Sequence, residues 1–429
     1  MSDAIALDKG YVTLTINGGR DTYYLLYTSG NKRFCVMDSY TMTGGPMEPF
    51  ETLQMTIPRK KLVELDPHVF KKADAIEVGR ARVSVEYCGR CKNMVVTKCK
   101  VSRDTVQIVA YHECEVLRGL ESSYIISANV PLKSSSESYS GLIVEILKQM
   151  DSTLHTNYAT SSHMVVHADL DRAPPGTMSI GKGENLWTAM QLLCLTIGCR
   201  VFFMDDKVYI VDYSLPFLNE TTYTTFDDIK DLELYPKNSG RLYNRVIGTP
   251  DYGQEGLDTV VNVQPVVCAG ITVTDGNTEI GISSVTAQSP QSIAAYGIRQ
   301  GQAMTMKNIP IAYAMAISDN YIEYISEAQQ SVTFTVSESD IDTSVGGRTW
   351  APEFDILTRV GRITNNQDEL TVSNEDVLGN VKPQLLTLSQ YTRNYPECTS
   401  TYSFGVMGNI TLAQNTSQIL QSIGGLINL

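Results

Sequence analysis

Long apolar runs are absent from this 429-residue sequence. No stretch approaches the roughly 18 to 20 apolar residues that a membrane-spanning helix needs, so we expect no stable membrane insertion. The first residues lack a basic segment followed by an apolar run, so we expect no secretory leader and synthesis in a cytoplasm. Tryptophan is scarce, with 2 residues against 23 Tyr and 10 Phe. Together with many Thr and Val, this composition favours strands.

Basic residues are too few for a general nucleic-acid-binding protein. The sequence has 34 Lys and Arg against 47 Asp and Glu, a net charge of −13, whereas binding to a phosphate backbone needs a basic face. The charge is also uneven, with 17 basic and 14 acidic residues in 1–120 and 17 basic and 33 acidic residues in the remainder. This asymmetry suits a protein that packs between two different partners, or it is an incidental property of the first domain.

The length indicates two to four domains at roughly 150 residues each. Period-two alternation predicts β-rich segments early and late in the chain, and helical spacing predicts helices near 141–150, 184–197 and 311–330. A hairpin with an Asp205–Asp206 turn follows the second helix, and loops are predicted around Arg59. The domains that we predict are a first β-rich domain (1–120), a small α+β domain (121–215), a second β-rich domain (216–268 plus 311–400), an inserted β-hairpin region (269–310) and an uncharged apolar tail (401–429). The predicted fold class is therefore β-rich α+β.

Cysteine gives the strongest local motif. The pair Cys88 and Cys91 has the spacing of a zinc-binding knuckle, and Cys99 and Cys114 follow, with His112 nearby. A zinc ribbon needs a second close pair, which Cys99 and Cys114 do not form, and strands surround the first pair. We therefore predict no metal and leave zinc as the alternative. Nine scattered Cys fit reduced thiols better than a disulfide framework.

Other motifs are weaker. His163 and His167 share a face at their spacing, with His155 nearby, but no Glu follows the first His as in a metalloprotease. The Gly181-Lys182-Gly183 segment precedes a helix without the full phosphate-loop pattern. Acidic pairs at Asp205–Asp206 and Asp227–Asp228 are interpreted as solvated turns. No catalytic residue and no cofactor are predicted, and the protein is expected not to be an enzyme.

The order of elements resembles that of the hub proteins of phage tail tips and baseplates, a family that includes the base of contractile injection machines. Segments 82–89 and 106–117 are similar to the strands of the first hub barrel. Segment 184–211 resembles the helix and hairpin of the family, and 242–248, 295–299 and 332–336 resemble the second barrel with its insertion. The four cysteines are not required by the family, and no lysozyme, spike or peptidase module is expected after the second barrel.

The resemblance implies that the two β-rich domains, 1–120 and 216–268 plus 311–400, are tube-type β-barrels. It also implies a homotrimer in which each subunit contributes these two similar barrels. The resulting ring of six barrels would match a sixfold tail tube on one side and a threefold tip on the other, and would line the DNA exit channel. Implied partners are the tail tube or distal tail ring, the tail-tip or spike protein and the tape-measure protein, with DNA only as transient cargo. The location implied is the virion tail.

Three alternatives to a hub stay open. A tube or distal tail ring protein would form a hexamer. A receptor-binding or carbohydrate-binding protein would use aromatic loops, although only Trp187 and Trp350 are available as tryptophans. A tail-associated cell-wall hydrolase would need an essential Asp or Glu. The apolar tail from Asn409 onwards either docks on its own domain or binds a partner.

Overall fold

The structure of the protein is a computed structural model. Its described residues are 11–29, 32–72, 74–87, 90–124, 126–128, 139–151, 154, 156–167, 178–180, 182–183, 185–212, 229–235, 242–251, 271–275, 283–301, 304–307, 317–318, 320, 322, 326, 331–337, 359–360, 362–364, 369–371, 373–375, 381–383 and 386–405. Strands dominate the regular structure of these residues, which confirms the prediction of a β-rich α+β fold.

The N-terminal part of the chain is built from eight strands. They are β1 (Tyr11–Ile16), β2 (Asp21–Ser29), β3 (Lys32–Cys35), β4 (Ser39–Gly44), β5 (Thr52–Pro58), β6 (Arg82–Tyr87), β7 (Arg90–Val101) and β8 (Thr105–His112). Every second side chain of β8 from Val106 to His112 is buried, which is the expected period of a strand with one inward face. Short 3-10 helices span Asn17–Gly19 and Glu113–Gly119.

Two short helices occupy a region that the sequence analysis interpreted as loops. They are α1 (Arg59–Leu65) and α2 (Pro67–Phe70). The Asp66 side chain accepts hydrogen bonds from the backbone amides of His68 and Val69 and so caps α2. The prediction of loops around Arg59 was therefore wrong, because the Asp-Pro turn signal is here the start of a helix.

The middle of the chain combines helices with short strands. Its elements are β9 (Ile126–Ala128), α3 (Tyr139–Asp151), β10 (Met164–His167), β11 (Met178–Ile180), α4 (Leu186–Ile197), β12 (Cys199–Met204) and β13 (Lys207–Asp212). The α4 helix begins where Asn185 caps the amide of Thr188 and ends at Gly198, which has a φ of 74°. This confirms the predicted helix, its glycine stop and the following hairpin.

The C-terminal part returns to strands. Its elements are β14 (Ile229–Tyr235), β15 (Arg245–Asp251), β16 (Ile271–Asp275), β17 (Ser283–Gln288), α5 (Pro290–Tyr296), β18 (Met304–Lys307), β19 (Ser331–Ser337), β20 (Arg359–Val360), β21 (Arg362–Thr364), β22 (Glu369–Thr371), β23 (Ser373–Glu375), β24 (Val381–Pro383), β25 (Leu386–Tyr395) and β26 (Thr399–Gly405). Of the helix predicted over 311–330, the described residues Ile317, Ser318, Asn320 and Ile322 are helical and Ser326 lies in a turn; the other positions of this range, and the tail from Asn409, lie outside the described residues.

One thirteen-stranded sheet joins strands from both ends of the chain. Its order is β14-β19-β26-β25-β4-β5-β8-β7-β6-β1-β2-β3, with β20 attached to β25. The joint is the antiparallel pair β25–β4, in which Tyr391 lies opposite Gly44 and Tyr395 opposite Tyr40. Strands assigned to the two predicted barrels therefore share one hydrogen-bonded sheet. The division of the chain into separate domains stays a prediction.

Smaller sheets complete the described fold. They have the orders β10-β13-β12, β11-β9, β16-β17-β15-β18, β21-β22 and β23-β24. In the four-stranded sheet β15 pairs with β17 and runs parallel to β18. Residues 245–251 were assigned to the second barrel by sequence, and the structure instead groups them with strands of the inserted region.

The β12–β13 hairpin separates two hydrophobic clusters. Phe202, Met204 and Tyr209 pack into the cluster beneath the main sheet, whereas Phe203 and Ile210 pack into the cluster around α3 and α4. Both faces of the hairpin are thus buried, which fixes its position against the main sheet. Among the described helices, none has the length and apolar character to cross a membrane.

Candidate functional site

A buried lysine lies beside the joint of the main sheet. On β7, Lys92 is in phase with the buried residues Met94 and Val96, so its side chain points inward rather than to solvent. Only 1% of Lys92 is exposed. An ammonium group at this depth is costly unless oxygen atoms surround it.

Three oxygen atoms surround the Lys92 ammonium group. Its Nζ contacts Oε1 of Glu51, and lies 2.8 Å from Oδ1 of Asp205 and 2.9 Å from the hydroxyl of Tyr391. The Tyr391 hydroxyl in turn donates to Glu51, and the backbone amide of Asp205 donates to Oε2 of Glu51 at 3.1 Å. We call Glu51, Lys92, Asp205 and Tyr391 the junction cluster.

The junction cluster connects three parts of the sequence. Glu51 immediately precedes β5, Asp205 lies between β12 and β13, and Tyr391 belongs to β25. These positions fall in the predicted first barrel, the predicted α+β domain and the predicted second barrel. The ion pair of Lys92 with Asp205 and the hydrogen bonds that Tyr391 makes with Lys92 and Glu51 therefore join the three segments at a single buried point.

Gly44 makes room for this arrangement. It is the cross-strand partner of Tyr391. A Cβ atom at Gly44 would lie 2.8 Å from the Tyr391 ring and 2.8 Å from Cγ of Glu51, closer than such atoms approach in folded proteins. Any side chain at this position would push apart two members of the junction cluster.

The prediction that Asp205 and Asp206 are both solvated turn residues was wrong for Asp205. Asp205 is 6% exposed and has a φ of 55°, a left-handed conformation that Asp tolerates better than most residues. This conformation directs its carboxylate to Lys92. The Asp206 side chain, by contrast, is 58% exposed. The other predicted pair, Asp227–Asp228, lies outside the described residues.

His112 also contacts the turn that contains Asp205. Its Nδ1 accepts a hydrogen bond from the backbone amide of Cys114 at 3.2 Å, so its proton is on Nε2, which donates to the backbone oxygen of Asp205 at 2.7 Å. The backbone amide of His112 also donates to the backbone oxygen of Glu51 at 2.8 Å. The neutral form of the His112 imidazole thus holds the Asp205 turn in place.

The electrostatic environment keeps Lys92 charged and His112 neutral. Burial lowers the pKa of His112 below its ordinary value of 6.5, although the nearby carboxylate of Glu51 acts in the other direction. Burial alone would also lower the pKa of Lys92, but the carboxylates of Asp205 and Glu51 outweigh it and raise that pKa above its usual value. At neutral pH the lysine is charged and the histidine is neutral.

A second buried ionic group lies near the first. Glu113 accepts from Nη1 of Arg82 at 2.9 Å and from the hydroxyl of Tyr158 at 3.0 Å. Burial, together with Glu113 and Cys114, raises the pKa of the Tyr158 hydroxyl. This group ties β6 to the segment before β10, so it adds a second polar link between the main sheet and the α+β region.

The chemistry of the junction cluster is structural. A lysine that acts as a nucleophile or a base needs a lowered pKa and access to substrate. Lys92 has a raised pKa, is buried and has its ammonium group surrounded by three protein oxygens. Removing one partner from such a group leaves an unpaired buried charge, so the group specifies how the segments pack.

The candidate zinc residues do not converge where the structure describes them. Cys99 packs against the cluster beneath the main sheet and Cys114 belongs to the other hydrophobic cluster. Cys91 lies on β7 opposite Glu86, and Cys88 lies outside the described residues. In the described ranges no three Cys, His, Asp or Glu side chains are grouped to hold a metal. Because Cys88 and the side chain of Cys91 lie outside what the structure describes, the absence of metal stays a prediction.

The remaining predicted motifs take part in local contacts. Nδ1 of His163 lies 2.7 Å from the backbone oxygen of Asp206, and His167 ends β10; His155 lies outside the described residues. Lys182 is exposed. The helix that follows the Gly-Lys-Gly segment is already capped by Asn185, whose Oδ1 accepts a hydrogen bond from the backbone amide of Thr188 at 3.0 Å. The side chain of Asn185 therefore occupies the start of this helix.

Sequence analysis missed the junction cluster, although a signal was present. Lys92 is in phase with the buried Met94 and Val96 of its strand, and Glu51 is in phase with the buried Leu53 and Met55 of β5. Charged residues in an apolar period-two series indicate a buried ion pair. The identities of Asp205 and Tyr391 as partners depend on tertiary packing.

Known protein structures share this fold. No family model matches the sequence, and no curated protein sequence does. The structure is similar to the tail protein from Neisseria meningitidis MC58, with a TM-score of 0.52 and 11% identity over 94% of this chain and 98% of that one. It is also similar to the 43 kDa tail protein of prophage MuSo2 from Shewanella oneidensis, with a TM-score of 0.50 and 12% identity over 94% and 98% of the chains. The resemblance to phage tail proteins is thus confirmed for the fold.

Proposed function

We propose that this chain is a structural protein of a phage-type tail, and specifically the hub of its tip or baseplate. The likeness of fold to two tail proteins along almost the whole chain supports a tail role. A hub must hold its two barrel-like halves in a fixed relation. The β25–β4 register, reinforced by the buried junction cluster, is the observation that carries this proposal.

In this proposal three copies form a closed ring. Each copy contributes two β-rich halves, and six halves match the sixfold symmetry of a tail tube while the threefold ring continues into the tip. Closed cyclic symmetry requires the same interface between successive copies. A sheet that runs through both halves keeps their spacing constant around the ring, which the match to a tube requires.

Partners and location follow from this role. The ring would lie between the tail tube or distal tail ring and the tip or spike protein, with the tape-measure protein inside, in the virion tail. The net charge of −13 would repel DNA and let it slide through the channel without binding. We propose no catalytic activity for the chain.

Native mass spectrometry of the purified full chain tests the proposal, supported by electron microscopy of particles in the same sample. A trimer that appears as a ring with a central channel is the expected result. A hexamer would favour a tube or distal tail ring protein instead. A protein that stays monomeric across the accessible concentration range would count against a self-assembling hub.

A further inference from the structure

The outer face of β1, β2 and β3, which form one end of the main sheet, carries exposed aromatic side chains. We call Tyr11, Tyr24, Tyr27 and Phe34 the aromatic patch. Tyr24, Tyr27 and Phe34 are 51%, 43% and 45% exposed. Tyr27 lies opposite both Tyr11 on β1 and Phe34 on β3. The inner face of the same strands is buried through residues such as Leu14 and Leu25, so the patch is not needed to cover the core of its own sheet.

The rings of the aromatic patch are tilted against one another. Tyr24 lies 6.0 Å from Tyr11 at 79° and 5.5 Å from Tyr27 at 62°, measured between ring centroids and ring planes. A flat sugar ring stacks best on rings that lie in one plane. Edge-to-face rings do not offer such a flat platform. The geometry favours an apolar polypeptide over a stacked sugar as the ligand.

The aromatic patch also lies at an end of the main sheet. In the described part of the chain β3 pairs with β2 alone. Proteins usually protect such an edge with charge or a covering segment, and a cluster of exposed aromatic residues beside it is typical of an interface. Tyrosine in particular is enriched at the centres of protein interfaces.

A segment of suitable chemistry follows the last described residue, Gly405. Residues 406–429 contain no Asp, Glu, Lys or Arg. They carry a series of branched aliphatic side chains, namely Ile410, Leu412, Ile419, Leu420, Ile423, Leu426 and Ile427. An uncharged segment of this composition is poorly soluble unless it is covered.

The sheet order indicates which copy supplies this segment. Within one copy, β26 is nine strand steps from β3, about 43 Å along the sheet at about 4.8 Å a step. The β14 end of the sheet is only two steps from β26. In a ring where the β14 end of one copy faces the β3 end of the next, Gly405 of the neighbour is therefore separated from the aromatic patch by fewer strand steps than the chain's own Gly405.

We propose that the aromatic patch binds residues 406–429 of the neighbouring copy. This inference rests on the proposed ring and names the segment that closes it. Each copy gives its apolar segment to one neighbour and receives one from the other. The contact is heterologous and repeats around a cyclic assembly without leaving an unused segment.

Photo-crosslinking of the full chain tests where the segment binds. A Tyr27→p-benzoylphenylalanine variant at natural isotope abundance is mixed with ¹⁵N-labelled wild-type copies, assembled and irradiated. We expect crosslinks from position 27 to residues 406–429 of labelled copies. The matched control is Tyr296→p-benzoylphenylalanine, since Tyr296 is exposed on α5 outside the patch. Crosslinks confined to the variant's own chain, or directed to other segments, would overturn the inference.

Self-association of variants separates this inference from the proposed function. The triple variant Tyr24→Thr, Tyr27→Thr, Phe34→Thr and a truncation after Gly405 should each weaken association about tenfold or more, because interface aromatics carry much of the binding energy. The control Tyr296→Thr should associate normally. A wild-type trimer whose assembly neither change affects would overturn the tail contact alone. A wild-type protein that never assembles would overturn the ring and the contact together.

Discussion

The hydroxyl of Tyr391 lies 2.9 Å from Nζ of Lys92, although 299 positions separate the two residues in the sequence. Both side chains are almost fully buried, and Glu51 accepts a hydrogen bond from each of them. The joint of the main sheet is thus fixed by side chains as well as by the backbone register of β4 and β25. Its energetic role can be measured one residue at a time.

Replacing Lys92 should be strongly destabilising. In Lys92→Met the carboxylates of Glu51 and Asp205 lose their buried counter-ion, and we expect a loss of about 3–5 kcal/mol in the free energy of unfolding. Urea denaturation of the purified protein measures it. The matched control is Lys98→Met, because Lys98 is exposed on the same strand and should change stability by less than about 0.5 kcal/mol. Equal effects at both positions would show that the cluster contributes nothing specific.

A methyl group at Gly44 should disturb the same cluster sterically. Gly44→Ala places a Cβ atom 2.8 Å from the Tyr391 ring and from Glu51, so we expect a loss of about 1–3 kcal/mol. Gly119→Ala is the control, since a Cβ atom there meets nothing within 4 Å. Thermal unfolding of the two variants compares them directly. A stable Gly44→Ala protein would mean that the sheet joint relaxes more readily than the close contacts indicate.

Stability should fall with acid below pH 6.5, and His112 should contribute to this fall. Burial lowers the pKa of His112 in the folded protein from its ordinary value of 6.5, so below that pH the unfolded chain binds a proton that the folded protein does not. The stabilisation is therefore complete above pH 6.5 and is lost as the pH falls, by at most about 1.4 kcal/mol per pH unit.

The comparison for this pH effect is His112→Gln, measured by urea denaturation from pH 8 to pH 5. Its stability should decline less steeply below pH 6.5 than that of the wild type. His68→Gln is the control for the loss of a histidine, since His68 is exposed. Parallel curves for the wild type and His112→Gln would contradict a neutral buried imidazole.

Removing the close cysteine pair should cost little. In Cys88→Ser, Cys91→Ser we expect the unfolding temperature to change by no more than a few degrees, because we predict no metal at these thiols. Elemental analysis of the wild-type protein by mass spectrometry should find no stoichiometric zinc. Bound zinc that disappears in the double variant together with stability would establish the alternative that the Cys88 and Cys91 spacing left open.

Much of the local structure could be predicted from sequence because it depends on local chemistry. The period of β8, the α4 helix with its Gly198 stop and the β12–β13 hairpin all follow from side-chain pattern and turn residues. The joining of β4 to β25 could not be predicted this way. No local pattern specifies which distant strand pairs with the edge of β4. A resemblance in the order of elements indicates that pairing only in outline.

The site was harder to predict than the fold. Acidic residues in a two-residue turn are usually solvated, so nothing near Asp205 in the sequence indicates that its left-handed φ turns the carboxylate inward. Lys92 did carry a local signal, because it is in phase with the buried apolar residues of its strand. Its partners come from three separate segments, and only the folded chain brings them together.

The sheet joint also determines when this protein can finish folding during its synthesis. Thr41 on β4 hydrogen-bonds to Asn394 on β25, 353 positions later, so the β4 edge stays open until nearly the whole chain has left the ribosome. During that time Lys92 lacks Tyr391 as a partner, and an open strand edge invites pairing with other nascent chains. Residues 1–120 expressed alone should for this reason aggregate, and chaperone assistance should matter most while the last strands are being made.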